Sequence, residues 1–190
     1  MLEGKLVRLR APEPDDKDRA YQWINDREVT KTLMARYPIS RTEEENWLQH
    51  NSATPQGFLS EVRLAIIAKD TDTHIGFMGL HKVSPEDRHA DLGIMIGDKS
   101  FWERGYGTDA MLTLVRFAFD GMNLNKVKLG VFDGNDRAHA VYRKCGFVED
   151  GRLRQEYYQD GRYWDVIQMS VLRDEFYALH GVTGAQTARA

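Results

Sequence analysis

A glycine-rich turn between a strand and a helix is the feature that most constrains this chain. The turn occupies residues 100–110, between an apolar run at 91–97 and an amphipathic run at 111–119. Gly105 and Gly107 carry no Cβ, so the backbone there can adopt unusual dihedral angles and approach a ligand closely. The helix that follows directs its first free N–H groups and the positive end of its dipole into the turn. This arrangement predicts a site for a phosphate-bearing cofactor.

The turn matches neither of the two common nucleotide motifs completely. A P-loop requires Lys followed by Ser or Thr after its second glycine, and no such pair follows Gly105 or Gly107. A dinucleotide fingerprint tolerates Ala110 at its third glycine position, but this turn lies at mid-chain and not in a first strand–helix–strand unit. A dinucleotide-binding oxidoreductase and a plain structural turn are therefore the alternatives.

A second segment of the chain combines a strand with a short, well-delimited helix. The strand is expected at 126–132, and the helix begins after Asn135, a residue type that caps helix N-termini well. Gly146 is a good stop just past the helix end. Asn135, Ala138 and Tyr142 are spaced i, i+3 and i+7, which places them on one helix face over two turns.

Together the two segments resemble the GNAT superfamily of N-acetyltransferases. Its pyrophosphate loop reads [Q/R]-x-x-G-x-[G/A], and its later helix reads N-x-x-A-x-x-x-Y-x-x-x-G-F. This chain has Trp102-x-x-Gly105-x-Gly107 and Asn135-x-x-Ala138-x-x-x-Tyr142-x-x-x-Gly146-Phe147. Trp at position 102 departs from the usual Gln or Arg and is similar to the branch that contains ribosomal-protein N-terminal acetyltransferases and spermidine acetyltransferases. The resemblance covers about residues 4 to 175.

Bulk properties exclude several classes of protein. A chain of 190 residues with 42% hydrophobic and 29% charged residues is expected to fold as one domain with a proper core. The net charge of −3 gives no support for nucleic-acid binding, and no run of eighteen apolar residues predicts a membrane span. A single cysteine excludes an internal disulfide and fits a cytoplasmic location. The His and Cys spacings suggest no metal site.

The pattern of apolar residues predicts an α/β (α+β) fold. Seven strands are expected, at 5–10, 62–69, 74–82, 90–97, 126–132, 147–157 and 163–172. They are expected to form an antiparallel meander followed by a strand–helix–strand–helix–strand unit. Residues 26–40 are expected to be irregular, and a helix is expected to begin at Thr42. The resemblance implies a mixed, mostly antiparallel central sheet of about seven strands flanked by helices and splayed at its centre. We expect one domain at 1–175 and a loosely ordered tail at 176–190.

The resemblance implies acetyl-CoA as the co-substrate and assigns cofactor-binding residues by position. The backbone of the turn would hold the pyrophosphate, the strand before it would lie beside the pantetheine arm, and the later helix would contact the same arm. The residues concerned are Trp102, Glu103, Arg104, Gly105, Tyr106, Gly107 and Thr108 in the turn, Ile94, Met95 and Ile96 in the strand, and Asn135, Ala138 and Tyr142 in the helix. Asn135 could be only a helix cap, Arg104 only a solvated charge, and Tyr142 only a core aromatic.

Two residues are candidates for catalysis, Tyr142 and Asp91. Tyr142 would act as the general acid that protonates the departing thiolate, because a phenol is protonated at neutral pH. Asp91, at the start of a central strand, would act as the base, with a structural ion pair to a neighbour such as Arg88 as the alternative. Cys145 has no base placed near it by the sequence, so we expect it to be a packing residue.

The N-terminal helical region is expected to form one wall of the site that binds the acceptor amine, here called the acceptor wall. Acidic residues there could attract a cationic substrate, although acids at a helix start are also ordinary helix starters. The candidates are Glu28, Glu43, Glu44 and Glu45, with Arg36, Tyr37 and Trp47 as further members of the wall.

The function expected from these residues is N-acetylation of a primary amine by direct attack in a ternary complex. A protein N-terminal amine is the first acceptor class, by resemblance to the ribosomal-protein branch. A polyamine comes second, because Glu156-Tyr157 and Asp160-Gly161-Arg162-Tyr163 resemble the spermidine branch. An amino sugar or antibiotic is third, and a non-catalytic CoA-binding regulator is the alternative from another class. No nucleic-acid, membrane or metal partner is expected, and a homodimer is left open.

Overall fold

The computed structural model describes residues 1–35, 37–52 and 60–181, with the backbone alone for 47–52. Within these residues the chain forms one eight-stranded sheet. The strands are β1 (Leu2–Glu3), β2 (Val7–Arg10), β3 (Val62–Ala68), β4 (Thr73–Ser84), β5 (His89–Ile96), β6 (Lys126–Phe132), β7 (Val148–Gln159) and β8 (Arg162–Leu172). Their spatial order is β1-β2-β3-β4-β5-β6-β8-β7, and every neighbouring pair is antiparallel except β5 with β6. The predicted mixed, mostly antiparallel fold is confirmed, with one short strand more than expected.

Helices cover both faces of this sheet. The described α-helices are α1 (Lys17–Ile24), α2 (Arg27–Thr30), α3 (Arg41–Ser52), α4 (Tyr106–Asp120), α5 (Asp136–Lys144) and α6 (Arg173–His180). Helix α4 buries an apolar stripe that includes Met111, Leu114 and Phe119 at helical spacing, and all three are fully buried. On the opposite face, Trp23 of α1 packs edge to face against Phe77 of β4, with 69° between the ring planes. The core is therefore two layers of side chains, one on each face of the sheet.

The extra strand β1 and the residues after it are held in place by contacts with residues far away in the sequence. Leu2 pairs with Leu9, and the carboxylate of Asp109 in the first turn of α4 accepts the backbone N–H groups of residues 5–7. The three hydrogen bonds measure 3.0, 2.7 and 2.9 Å. A two-residue strand leaves no periodic pattern in the sequence, which is why it was not predicted.

The sheet is split at its centre, between β5 and β6. These strands pair only over His89–Asp91 and Lys126–Lys128, which is three residues from each. Beyond that point Leu92–Ile96 pairs with β4 alone, while Leu129–Phe132 pairs with β8 alone. A wedge therefore opens between two adjacent strands in the middle of the sheet, as the resemblance implied.

Three local expectations need correction. Region 26–40 is not wholly irregular, because α2 forms there with Asp26 as its N-cap, whose Oδ1 accepts the N–H of Glu28 at 2.8 Å. The N-terminus of α3 is capped by Ser40 and not by Thr42, since Ser40 and Glu43 exchange side-chain and backbone hydrogen bonds of 2.9 and 3.2 Å.

The third correction concerns the C-terminus. The tail was expected to begin at residue 176, but α6 continues to His180 and its Phe176 is fully buried against Phe119. Residues 182–190 lie outside the described part of the chain.

Candidate active site

The turn before α4 combines two left-handed residues with an open helix N-terminus. Glu103 has φ +60° and Gly105 has φ +88°, and Gly105 is the N-cap of α4 without any side-chain cap. Alternation into the left-handed region makes successive N–H groups converge on one side of the backbone, which suits an anion. As in any α-helix, the N–H groups of Gly107 and Thr108 lack a carbonyl acceptor within the helix. The turn therefore presents N–H donors and the positive end of the helix dipole together.

The two glycines of the turn are required for different reasons. Gly105 needs its positive φ, which side chains other than glycine adopt with strain. Gly107 has an ordinary helical φ, and a Cβ placed on it would lie 3.7 Å from Cγ1 of Ile96, which is normal van der Waals contact. The protein itself thus has room for a side chain at 107. A ligand that approaches the backbone there would explain the glycine, and the site in this respect fits a pyrophosphate-bearing cofactor.

A cleft of about 500 Å³ runs from this turn along the wedge in the sheet. It lies between the end of β5, the first turn of α4, helix α5 and the α2 region. All the predicted cofactor residues except Arg104 and Tyr106 line it, namely Ile94, Met95, Ile96, Trp102, Glu103, Gly105, Gly107, Thr108, Asn135, Ala138 and Tyr142. Residues from three separate parts of the sequence, 29–33, 94–108 and 135–144, are therefore brought to one cavity.

The side chains of Arg104 and Tyr106 point away from the cleft. The Arg104 guanidinium lies 5.4 Å from the ring centre of Phe101 and donates to the carbonyl of Ser100 at 3.2 Å. Tyr106 is buried, and its hydroxyl donates to Oδ2 of Asp70 at 2.7 Å. Any role of these two residues toward a cofactor is limited to their backbone.

Two cations that the sequence analysis did not single out line the cleft instead. Arg137 and Lys144 both belong to α5. The guanidinium carbon of Arg137 lies 4.2 Å from the ring centre of Trp102, whose indole Nε1 donates to the carbonyl of Ile96 at 2.8 Å. Their spacing of seven residues along a predicted helix was the available signal, since it places both cations on one side of that helix.

Helix α5 orients Asn135 and Tyr142 toward the cleft. Oδ1 of Asn135 accepts the N–H of Ala138 at 3.3 Å, so Asn135 caps the helix and lines the cleft at the same time. The helix ends at Lys144, and Gly146 lies just past its end with φ +96°, as predicted. Within the described residues the Tyr142 hydroxyl has no hydrogen-bond partner, and burial raises the pKa of Tyr142 to about 12. The phenol is therefore protonated at neutral pH and free to donate.

Cys145 is fully buried directly after α5. Its Sγ lies 3.8 Å from the carbonyl oxygen of Thr108, and it does not line the cleft. Burial raises the pKa of the Cys145 thiol to about 12, which keeps it protonated and a poor nucleophile. The residue packs α5 against the start of α4.

Asp91 is not brought to the cleft. Its carboxylate lies between two lysines, with Oδ1 3.2 Å from Nζ of Lys128 and Oδ2 3.5 Å from Nζ of Lys82. Arg88, the neighbour expected to pair with it, instead hydrogen-bonds the backbone and side chain of Asn123. The geometry thus resembles the structural ion pair that was the alternative to a catalytic base.

The acceptor-wall candidates are scattered by the structure. Val29 of α2 lines the cleft with the turn that follows, but Glu28 of the same helix pairs with Lys99 at 2.8 Å. Glu43 caps α3, Glu45 pairs with Lys17, and Glu44 is buried with a pKa raised by desolvation. Arg36 and the side chain of Trp47 lie outside the described residues.

A second hollow of about 620 Å³ lies on the other side of α2. It is bounded by the β7–β8 hairpin, and Tyr37 and Tyr158 contribute aromatic rings to it. Arg27 and Asp160 form an ion pair of 2.7 Å across it. Helix α2 therefore separates the cofactor-side cleft from this hollow.

The split sheet, the glycine turn at a helix N-terminus and the tyrosine in the cleft define a class of protein that holds a phosphate-bearing cofactor between the two halves of a sheet. The chain belongs to the GNAT acetyltransferase family, because residues 7–148 match the model of the acetyltransferase (GNAT) domain. Enzymes of this family transfer an acetyl group from acetyl-CoA.

Curated relatives agree with this assignment. The uncharacterized N-acetyltransferase p20 of Bacillus licheniformis is 28% identical over 92% of this chain and 97% of its own length. The spermidine N(1)-acetyltransferase of Vibrio cholerae is 31% identical over 54% of this chain and 58% of its own length. The Bacillus subtilis protein YdaF, named provisionally as a ribosomal N-acetyltransferase, is 33% identical over 53% of this chain and 55% of its own length.

Solved structures give the same result. The crystal structure of spermidine N-acetyltransferase from Vibrio cholerae in complex with CoA and spermine superposes with a TM-score of 0.81 and 26% identity, over 90% of this chain and 98% of that one. The chain is therefore an acetyl-transfer enzyme, and the oxidoreductase alternative is wrong.

Two further structural properties concern partners. Among residues 1–35, 37–52 and 60–181 no helix is long and apolar enough to cross a membrane. The same residues contain no group of three or more His, Cys, Asp or Glu side chains that could hold a metal ion.

Proposed function

We propose that the enzyme transfers the acetyl group of acetyl-CoA to a primary amine, with a protein N-terminal amine as the first acceptor class. The observation that carries the proposal is the Tyr142 hydroxyl, which is protonated and has no hydrogen-bond partner among the described residues, in a cleft that begins at the open N-terminus of α4. Acetyl-CoA supplies an acetyl group activated as a thioester.

In this proposal the cleft binds the cofactor mainly through backbone groups. The N–H groups of Gly107 and Thr108 hold the pyrophosphate, and the backbone of Ile94–Ile96 lies beside the pantetheine arm. An N–H group of that strand polarises the thioester oxygen, which stabilises negative charge on it as the amine attacks. Support comes from the wedge, since no described strand pairs with β5 beyond Asp91 on the β6 side.

Tyr142 acts as the general acid. When the thioester bond breaks, the sulfur leaves as a thiolate and accepts the phenolic proton. A raised phenol pKa suits this role at neutral pH, because the group is fully protonated before the reaction.

The identity of the base separates the acceptor classes. Among the described residues that line the cleft, Glu103 is the acid, and Asp91 is held between two lysines elsewhere. A cleft with few unpaired carboxylates suits a protein α-amine, whose pKa of about 8 leaves a useful fraction unprotonated at neutral pH. We therefore propose that water relays the proton and that Asp91 is not the base.

We propose direct attack in a ternary complex. An acyl-enzyme would need a reactive nucleophile, and the chain's single cysteine is buried with a pKa raised to about 12. The amine nitrogen then forms the new bond to the acetyl carbon, and the carbon–sulfur bond breaks without a covalent enzyme intermediate.

A polyamine is the second acceptor candidate. The specific observation in its favour is the similarity over 90% of the chain to a spermidine N-acetyltransferase solved with CoA and spermine. Against it, two candidate acids of the acceptor region are already paired: Glu28 bonds Lys99, and Asp160 in the second hollow bonds Arg27. Of the described residues that line the cleft, Glu103 is the one acid that a polycation would meet.

The test is a turnover screen that measures free-thiol release from acetyl-CoA. Peptides with free N-termini, the same peptides blocked by N-acetylation, polyamines and amino sugars would be compared at equal concentration. We expect turnover with free N-termini and none with blocked peptides that retain their lysines. Turnover restricted to polyamines would replace the first acceptor class by the second, and CoA binding without any turnover would contradict both.

Two expectations from the sequence stay predictions. A homodimer is testable by light scattering on the purified protein. A cytoplasmic location is testable by fractionation.

A further inference from the structure

One residue on each side of the split in the sheet has no side chain. Gly93 of β5 and Gly130 of β6 each lie two residues beyond the last pair that joins these strands, Asp91 with Lys128. Residues two apart on a strand share a face, so both glycines lie on the face where Asp91 meets Lys128. It is the face that α1 covers, since Met95 packs there in the core beneath α1. On this face, neither strand carries a side chain where the wedge begins.

The imidazole of His81 lies over Gly93. A Cβ placed on Gly93 would lie 3.4 Å from Nε2 of His81 and 3.7 Å from its Cδ2. His81 is the partner of Asp91 across β4 and β5, which places its side chain on the same face of the sheet. Gly93 immediately precedes Ile94, where the cleft lining on this strand begins. Nε2 therefore lies just outside the described lining, beside the strand that is proposed to polarise the thioester.

The surroundings of His81 leave Nε2 able to accept a proton. Oε1 of Glu61 lies 4.0 Å from Nδ1, and a carboxylate on that side favours the tautomer with its proton on Nδ1. Within the described part of the chain Nε2 has no hydrogen-bond partner. The charged groups around the ring are two acids and two cations, Glu61, Asp91, Arg63 and Lys82. Because these charges offset each other, burial decides the outcome and lowers the pKa of His81, so the ring is neutral at pH 7.

We propose that His81 is the general base of the transfer and takes a proton from the acceptor amine through the relaying water. The inference rests on the proposed function, because it takes an amine to attack a thioester beside this strand. As the nitrogen bonds to the acetyl carbon, one of its protons passes to Nε2. The carbon–sulfur bond breaks, and the thiolate takes the phenolic proton of Tyr142. The imidazolium then loses its proton to solvent and the tyrosinate regains one, which resets both groups.

A histidine base discriminates between classes of amine. An ordinary imidazole has a pKa of about 6.5, a protein α-amine about 8 and an alkyl amine such as a lysine side chain about 10. Proton transfer to His81 is therefore far less unfavourable from an α-amine than from an alkyl amine. A base at this position favours a protein N-terminus over a polyamine as the acceptor.

The test is chemical rescue of His81→Ala, with acetyl-CoA and a peptide that has a free N-terminus as substrates. Loss of a general base predicts that kcat falls about 10²-fold. KM for acetyl-CoA should change little, because His81 lies outside the cleft lining. Imidazole added to the solution should raise kcat of the variant by about tenfold or more, since it can accept the proton in the vacated space.

His89→Ala is the matched control. It removes another partly buried histidine, whose Nε2 faces Asp87 at 3.8 Å and which does not line the cleft. We expect kcat within twofold of wild type and no response to imidazole. His81→Gln, which keeps a polar side chain, is measured beside His81→Ala and should lose kcat to the same extent. Circular dichroism checks that each variant is folded.

Rescue separates a missing proton acceptor from a structural defect, because a structural defect does not respond to imidazole. If folded His81→Ala and His81→Gln keep kcat within twofold of wild type, the inference is overturned and the proposed function stands. The same holds if kcat is lost but imidazole restores none of it. Wild type that binds CoA without acetylating the free N-terminus overturns the first acceptor class of the proposed function itself.

Discussion

Arg10 and Asp16 form a two-pronged ion pair at the edge of the sheet. Nη1 and Nη2 of Arg10 donate to Oδ2 and Oδ1 of Asp16 at 2.8 and 2.7 Å. Asp16 is only 4% exposed, and Nδ1 of His74, also buried, lies 3.1 Å from its Oδ1. The pair joins β2 to the turn that begins α1, and through α1 to the helical region that walls the cleft.

Asp16→Asn is expected to destabilise the fold by about 3 kcal/mol, because removing one partner of a buried pair leaves the other charge uncompensated. The free energy of unfolding would be measured by denaturant titration at pH 7. Asp18→Asn is the control, since its pair with Arg41 is well exposed on both sides and should change stability by less than about 1 kcal/mol. Equal effects in the two variants would contradict a structural role for the buried pair.

The Arg10–Asp16 pair also predicts how the free energy of unfolding depends on pH. Burial alone raises the pKa of Asp16, but hydrogen bonds from Arg10 and His74 outweigh it and hold that pKa well below its usual range. The folded pKa therefore lies below the unfolded one, so the stabilisation is complete above the unfolded pKa of about 4 and is lost as pH falls toward the folded one. The stability difference between wild type and Asp16→Asn should shrink below pH ~4. A constant difference down to pH 2 would contradict this origin.

Gly107→Ala separates the needs of the ligand from those of the fold. The added Cβ meets only Ile96 at an ordinary distance, and alanine favours helix over glycine by up to about 1 kcal/mol. We expect thermal stability to be equal or higher and CoA affinity to fall, because the methyl group occupies space that a phosphate needs. Gly105→Ala should instead lower stability, since φ is +88° there. Full CoA affinity in Gly107→Ala would show that the backbone is not approached closely.

Tyr142→Phe is expected to lower kcat by about 10²-fold or more, the usual range for a lost general acid. The ring is kept, so KM for acetyl-CoA should change little. Tyr177→Phe is the matched control, because that tyrosine also has a pKa raised to about 12 but lies on α6 and does not line the cleft. If both variants keep kcat within twofold of wild type, Tyr142 is a packing residue only.

Cys145→Ala should retain most activity, because the thiol is buried and protonated outside the cleft. Initial-rate plots with both substrates varied should intersect, which indicates that both are bound before any product leaves. Parallel lines, together with an acetylated protein mass after incubation with acetyl-CoA alone, would establish an acyl-enzyme. Abolished activity in Cys145→Ala would then show that Cys145 carries the acyl group.

The sequence predicted those features, such as helix ends and tight turns, that are set by residues close together along the chain. The Asn135 cap and the Gly146 stop could be read because each acts within one turn of helix. The glycine turn could be read because strand, turn and helix are consecutive. Helix α2 could not, since four residues are too few to show a period.

Side-chain direction and strand register were beyond the sequence. Arg104 follows Glu103, whose left-handed φ of +60° turns the chain so that the Arg104 guanidinium lies over Phe101. Asp91 meets Lys128 only because β5 and β6 pair in parallel at that point, a register set by the whole sheet. The stack of Arg137 on Trp102 likewise joins two elements whose distance apart only the fold determines.

The wedge between β5 and β6 has a consequence for hydrogen exchange. Every second amide of Leu92–Ile96 faces away from β4, toward a side where β6 no longer pairs. Those amides should exchange with solvent faster than their neighbours in the free protein and slow down when CoA binds. The three-residue contact also means that few backbone hydrogen bonds join the two halves of the sheet. A ligand that bonds to both halves would couple them, so the supply of acetyl-CoA would govern how long the folded enzyme persists as well as how fast it works.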